Sequence, residues 1–321
     1  MRVGQNPMKS VKEVAKPARV TVAVLNYIPL LSGFYAEMLD VLKTCLGAIW
    51  ENTEQPYDLM IFDNGSCDEV RQYLLDIHEA GKVQYLILSE KNMGKGGAWN
   101  VILGGAPGEY IAYLDNDCYL YPGWLSRSLQ IMETFPNVGM VTARPFRTKE
   151  EFYTRTLEWA EGTSGAVVER GDFIPFEVFR EFDLSLGQSE EEIRQHYDTT
   201  KDVRITYQGI SAIAGASHWQ FLARKEVLQK FLPFDMDRPM GQVRQLDQRM
   251  NELGYLRLMP TEPLAMNMSN TLRAMPGMVS STQARAKIGK KHLLLDFPPL
   301  RAGLLALYDV IFRWYYDRRT K

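Results

Sequence analysis

Tyr110-Ile111-Ala112-Tyr113-Leu114-Asp115-Asn116-Asp117 is the stretch on which the reading of this chain turns. Five apolar or aromatic residues make a short strand, and polarity then reverses within a single residue. Two carboxylates one residue apart, at the carboxyl end of such a strand, stand where open α/β sheets hold their ligands. Hard oxygen ligands at that spacing suit Mg²⁺ or Mn²⁺ bridging a diphosphate. The bland alternative is a solvated Asx-type turn closing a strand, a common use of Asp and Asn.

Outward from this stretch, short apolar runs alternate with helix-length amphipathic stretches from Arg19 to Ala143, the pattern of βα units feeding a mostly parallel sheet. Strands are expected from Val20 to Leu25, Tyr57 to Phe62, Val83 to Leu88, Tyr110 to Leu114 and Val138 to Val141. Helices are expected from Leu31 to Trp50, Asp68 to His78, Gly96 to Leu103 and Trp124 to Phe135. Asp63-Asn64-Gly65-Ser66 closes the second strand, and Asn92-Met93-Gly94-Lys95-Gly96-Gly97 follows the third. Strands of such a sheet point one way, so these turns and the carboxylate turn converge on one crevice. Gly94, Gly96 and Gly97 let backbone approach a ligand and open a helix whose N-terminus favours phosphate.

The remainder is less regular. Residues 1–18 form a polar tail, 19–146 the βα half, 147–267 a second half, 268–292 a flexible basic stretch and 293–321 a terminal helix. From Arg147 to Gln208 the composition turns charged and aromatic and reads as exposed helices, an inserted, substrate-facing segment. From Gly209 to Met266, GISAIAGASHWQFLARKEVL, LDQRMNELGY and LRLMP read as strand, helix, helix and strand. In the terminal helix Leu300, Leu304, Leu307, Ile311 and Trp314 share one apolar face. That face would cover the chain's own domain, a second subunit in a homodimer, or a membrane surface.

With 321 residues, 45% of them hydrophobic, the chain can bury a large core, as one α/β domain or two halves. A net charge of -2 gives no whole-molecule attraction to nucleic acid, so an anionic ligand must be held by a local pocket. Three cysteines with no metal-ligand spacing indicate neither a disulfide framework nor a structural zinc site, and fit a reducing compartment. The polar, basic N-terminus lacks an apolar leader, and no run reaches the roughly 18 apolar residues of a membrane span. The expectation is a cytoplasmic protein, at most peripheral at the inner membrane face.

In order and spacing, five stretches resemble the inverting GT-A glycosyltransferases of family two, especially their rhamnosyltransferase-like members. They are Val22-Ala23-Val24-Leu25-Asn26-Tyr27, Asp63 to Asp68, Asn92-Met93-Gly94 with Asn100, Gly108-Glu109-Tyr110-Ile111 with Leu114 to Asp117, and Pro122-Gly123-Trp124-Leu125. The resemblance implies a GT-A (Rossmann-like) α/β fold, with a mostly parallel sheet flanked by helices, and makes 19–146 the nucleotide-sugar donor half. It places Leu25, Asn26 and Tyr27 along the nucleoside, Asp63 with Asn64 at the base, and Asn92, Gly94 and Lys95 beside nucleotide and sugar. Asp115 and Asn116 would reach the ribose or sugar, and Asp115 and Asp117 would hold Mn²⁺ or Mg²⁺, a Lewis acid at the departing diphosphate.

For the second half the same resemblance implies an acceptor side. Gly215, Ala216, His218 and Trp219 match its small-residue turn, with Trp219 free to stack on a sugar. An inverting transfer needs a general base, and Asp247 is the carboxylate in the matching helix, several positions out of register; Asp235 and Asp237 are the fallbacks. A structural Asp247 paired with a nearby Arg is the competing reading. Asn267 stands where many relatives carry a metal-binding histidine and offers one carbonyl oxygen; Arg273, Arg285 and Lys287 would help neutralise phosphates.

The reading is inverting transfer from a nucleoside-diphosphate sugar, UDP or dTDP preferred and GDP open, to a hydroxyl on a glycan, a lipid-linked sugar or a small molecule. Retaining transfer on the same fold and a non-catalytic nucleotide-binding scaffold remain open. A nucleotidyltransferase is disfavoured, because Asn26-Tyr27-Ile28-Pro29 is not a Gly-rich basic loop.

Overall fold

The computed structural model describes residues 3–237 and 242–272. These belong to one compact unit, Met1–Met278. The unit Val279–Lys321, with the expected terminal helix, lies outside the described residues, as do Arg273, Arg285 and Lys287.

In chain order the elements are β1 (Val20–Asn26), α1 (Met38–Asn52), β2 (Tyr57–Asp63), α2 (Asp68–Glu79), β3 (Tyr85–Leu88), α3 (Gly94–Gly105), β4 (Tyr110–Asp115), β5 (Cys118–Leu120), α4 (Trp124–Thr134), β6 (Val138–Val141), α5 (Thr154–Gly162), β7 (Ala166–Gly171), α6 (Phe176–Ser185), α7 (Glu190–Thr199), β8 (Asp202–Tyr207), β9 (Ile210–Ala214), β10 (Gln220–Arg224), α8 (Lys225–Leu228), α9 (Gln242–Glu252), β11 (Leu256–Met259) and β12 (Ala265–Asn267). Ten strands make one sheet in the order β3-β2-β1-β4-β10-β6-β11-β9-β8-β7, while β5 and β12 pair apart from it. Strands β1 to β4, β6, β8 and β11 run one way, and β7, β9 and β10 run against them. The expected α/β architecture with a mostly parallel sheet is present.

The apolar runs of β1 and β4 are continuous because both faces of these central strands are covered. Val20, Val22 and Val24 share one core with Val41, Leu42, Leu46 and Ile49 of α1. On the opposite face Ala23 and Leu25 join Ala98, Trp99, Ile102 and Leu103 of α3. The pairing register sets Asn26 beside Asp63 and Leu25 beside Asp115, so the turns leaving β1, β2 and β4 start level on one edge.

Three expectations are corrected. The first helix begins at Met38 rather than Leu31, because Gly33 takes a left-handed φ of 56° in a short 3₁₀ turn. The stretch from 147 to 208 is not helical throughout; α6 and α7 are joined by β7 and β8, which extend the sheet at its antiparallel end. Arg147 anchors this segment. Its Nε lies 2.7 Å from Asp202 Oδ1, and its Nη1 donates to the carbonyls of Tyr197 and Thr200. Finally, GISAIAGASHWQFLARKEVL is strand, loop, strand and a short helix, so the small-residue turn lies between two sheet strands, β9 and β10.

Candidate active site

The site is built from the turns that leave β1, β2, β3 and β4. Asn26 and Asp63 are fully buried at the ends of their strands. The Asn26 amide donates to Asp63 Oδ1 at 2.8 Å and to Ser66 Oγ at 3.0 Å, while its carbonyl accepts from Asn116 Nδ2 at 2.7 Å. Asp63 Oδ2 accepts from the Ser66 N–H at 3.1 Å. Asn26, Asp63 and Ser66 are thus bonded together in a buried cluster that rigidifies this edge, with the partly exposed Asn116 at its rim. Asn64 continues the network: its carbonyl accepts from Met93 N at 2.8 Å, and its amide reaches Asn92 Oδ1 at 3.0 Å.

Gly65 requires its lack of a side chain. Its φ is 89°, and a Cβ would stand 3.1 Å from Asn92 N, so the second turn can lie against the third only with glycine there. The third turn leads directly into α3, whose first residue is Gly94 and whose N-cap, Met93, makes no side-chain cap. The Gly94 N–H donates to Asn92 Oδ1 at 2.8 Å, and the helix dipole of α3 makes its N-terminus a setting for anionic oxygen.

Lys95, in the first turn of α3, reaches the carboxylate turn: its Nζ lies 2.7 Å from Asp115 Oδ2. Asp115 Oδ1 accepts from Tyr113 OH at 2.6 Å. Burial, followed by the Asp115 charge, pushes the Tyr113 hydroxyl well above its ordinary pKa, so it stays a donor. Asp117 differs. It is half-buried as a residue, yet its Oδ1 is buried and, among the described residues, has no hydrogen-bond partner. Burial, with the neighbouring Asp115 charge adding to it and Lys95 opposing, raises its carboxyl to about 7.

A dry, unpartnered carboxylate oxygen beside a second carboxylate is a hard, anionic donor suited to a divalent cation. Asn267 is close by: it pairs with Cys118 across the β5–β12 ladder, and Met268 N donates to Asp117 O at 2.8 Å. The Asn267 side-chain carbonyl accepts from Ser269 N at 2.7 Å, which leaves it one further lone pair. Among the described residues no cluster of three or more His, Cys, Asp or Glu is gathered for a metal. The oxygen donors gathered at this turn are those of Asp115, Asp117 and Asn267.

The acceptor-side turn lies against the same edge. Trp219 O accepts from Asp115 N at 2.8 Å, which ties the end of β10 to the carboxylate turn. Gly215 has a φ of 126°, and Ala216 is buried. Trp219 is only 6% exposed and lies against Phe182, with ring centroids 5.9 Å apart, so its face is largely covered by protein. Asp247, on α9, is buried and bonded at both oxygens: Oδ1 to Arg257 Nη2 and Oδ2 to His218 Nδ1 at 2.8 Å. Arg257 is itself buried in β11 and also donates to the carbonyls of Ala216 and Phe152. Asp235 and Asp237 are exposed in the segment before α9. Leu25 is close to fully buried, while Tyr27 is partly exposed, its ring edge-on to Tyr35.

Sequence reading did not anticipate Tyr113; the Asp247–Arg257 pair has the form of the competing reading, a structural Asp247 paired with an Arg, though it did not say which Arg. The signal for Arg257 was present, because a lone guanidinium inside Leu256-Arg257-Leu258-Met259 needs a buried partner.

An α/β sheet whose strand ends carry a carboxylate pair beside a glycine-opened helix defines a nucleotide-binding architecture. Residues 33–207 match the model of Glycosyl transferase family 2, and the chain belongs to that family. An uncharacterized glycosyltransferase of Nostoc sp. is 28% identical over 123 residues, covering 38% of this chain and 35% of its own. Glycosyltransferase AglE of Haloferax volcanii is 23% identical over 137 residues, covering 38% of this chain and 45% of its own. The match thus spans less than half the length of these curated relatives. Among solved structures, a mannosyltransferase of Pyrobaculum calidifontis in complex with GDP-Man and Mn²⁺ is 16% identical with a TM-score of 0.48, covering 92% of this chain and 73% of its own. S. aureus TarS is 13% identical with a TM-score of 0.45, covering 77% and 59%. Among the described residues no helix is long and apolar enough to cross a membrane.

Proposed function

We propose that this chain moves a sugar from a nucleoside-diphosphate sugar to a hydroxyl acceptor, with inversion at the anomeric carbon. The observation that carries the reading is Asp117 Oδ1, buried and unpartnered beside Asp115, on the edge where the Asn26, Asp63 and Asn92 turns meet. Asp117 and Asp115, with Asn267 beside them, would hold Mn²⁺ or Mg²⁺, which supplies Lewis-acid stabilisation of negative charge on a departing diphosphate. Lys95 neutralises Asp115 and keeps it from repelling that diphosphate, and the dipole at the N-terminus of α3 would favour the same anion.

Asp63 retains unused lone pairs for an imino N–H of the base, with Leu25, Asn26 and Tyr27 along the nucleoside and Asn64 steadying the turn. Uracil and thymine are the preferred bases, and guanine carries the same group. The acceptor, a glycan, a lipid-linked sugar or a small molecule, would enter past Gly215 and His218, whereas the buried Ala216 and the covered face of Trp219 do not offer the stacking surface the sequence suggested. Its hydroxyl would lose its proton at the Asp247 cluster.

The test is a thermal-shift screen of UDP, dTDP, GDP and ADP, with and without Mn²⁺, on the wild type and Asp117→Asn. A nucleotide at about a hundred times its Kd stabilises by roughly 2.7 kcal/mol. Stabilisation that needs both one nucleotide and Mn²⁺, and that Asp117→Asn abolishes, is the expected result. No stabilisation by any of them overturns the reading.

A further inference from the structure

We infer that His218 is the group that takes the acceptor's proton, with Asp247 positioning it and Arg257 holding Asp247 in place. The inference rests on the transfer reading above and assigns the atom that performs its proton step. The three side chains form a graded series from core to surface: Arg257 is 1% exposed, Asp247 11% and His218 32%. Both Asp247 oxygens are engaged, one by the buried guanidinium and the other by His218 Nδ1. An ionised carboxylate only accepts, so Nδ1 carries a proton, and in the neutral ring Nε2 holds the lone pair. Among the described residues Nε2 has no partner.

The location fits the task. Strand β10 pairs antiparallel with β4, Gln220 opposite Leu114, and the Trp219 carbonyl holds the Asp115 N–H. His218 is the next residue before Trp219, between that contact with Asp115 and Ser217, whose N–H and carbonyl bond the Thr142 hydroxyl after β6. Asp247 reaches it from α9, whose Leu246 and Met250 share a core with Ala98 and Trp99 of α3 and with Tyr113. Lys95 and Tyr113, the two partners of Asp115, belong to that same face. Helix α9, which carries Asp247, thus packs on the face of the sheet that holds Tyr113 and α3.

In the step, the acceptor oxygen bonds to the anomeric carbon while its proton passes to Nε2. The bond from that carbon to the diphosphate oxygen breaks, and its electron pair leaves on the diphosphate. The imidazolium is balanced by Asp247, and the proton passes to solvent after product departs. A positioned base of this kind contributes about 10²- to 10⁴-fold in rate.

The experiment measures nucleoside-diphosphate release from UDP-glucose, dTDP-rhamnose and GDP-mannose with Mn²⁺, using water and a panel of free sugars as acceptors. His218→Gln should lower kcat by about 10²- to 10⁴-fold with nucleoside-diphosphate affinity unchanged. Imidazole added to His218→Ala should restore part of the loss, which a merely structural histidine would not allow. His218→Gln combined with Asp247→Asn should be no slower than His218→Gln alone, because Asp247 acts through the ring. Wild-type turnover in His218→Gln, or no imidazole rescue, overturns the assignment and leaves the transfer reading standing. No release by the wild type with any donor removes both.

Discussion

Asp117→Asn isolates the feature on which the donor site depends. In the folded protein the carboxyl is raised from 3.8 to about 7 by burial and by Asp115. A raised acid pKa means that the unfolded chain ionises first, so stability falls as pH climbs from about 4 to 7 and is flat beyond. At about 1.36 kcal/mol per unit the full shift corresponds to roughly 4 kcal/mol, and solvent screening at a half-buried residue trims this to about 2 kcal/mol. Asparagine has the same shape and no charge to desolvate. Without metal, Asp117→Asn should melt several degrees above the wild type at pH 8, and the two should converge near pH 4. With Mn²⁺ and nucleoside diphosphate the order should reverse at pH 8, because only the wild type gains a ligand. Scanning calorimetry at the two pH values reads both effects. A variant no more stable than the wild type at pH 8 without metal would refute the claim that Asp117 Oδ1 is held dry and unpaired.

Trp99→Ala should lose about 3–5 kcal/mol in urea denaturation, since the buried indole meets Tyr113, Phe221 and Phe234 edge-on. Gly65→Ala should cost roughly 1–3 kcal/mol in the same assay, because φ 89° and the close Asn92 backbone both oppose a Cβ. Lys95→Met should weaken nucleoside-diphosphate binding by about tenfold in a calorimetric titration, as Asp115 loses the cation that screens it from phosphate.

Much of the donor half could be read directly because burial on both faces writes itself as apolar runs. Val20 to Leu25 and Tyr110 to Leu114 fall within strands whose limits differ by one residue, β1 ending at Asn26 and β4 at Asp115. The antiparallel end was opaque for the converse reason. Ala166–Gly171 mixes exposed with partly buried positions, Asp202–Tyr207 mixes buried with partly buried ones, and Glu169 pairs with Arg204 across the ladder, so they present as charged chain. Strand β5 has three residues and exists only through β12, about 145 positions later. Site residues were nameable singly, whereas their partnerships were not. Asp247 stood out as a carboxylate on a helix, but Arg257 and His218 reach it from a strand and a loop that only the tertiary fold brings together.

The most direct test of the donor site is a crystal structure of the chain grown with Mn²⁺ and the nucleoside diphosphate that stabilises it, with an anomalous map at the manganese edge. The expected result is a manganese peak within coordination distance of Asp117, with the base beside Asp63 and Tyr27. A nucleotide bound elsewhere, or a manganese site that leaves Asp117 untouched, would contradict it.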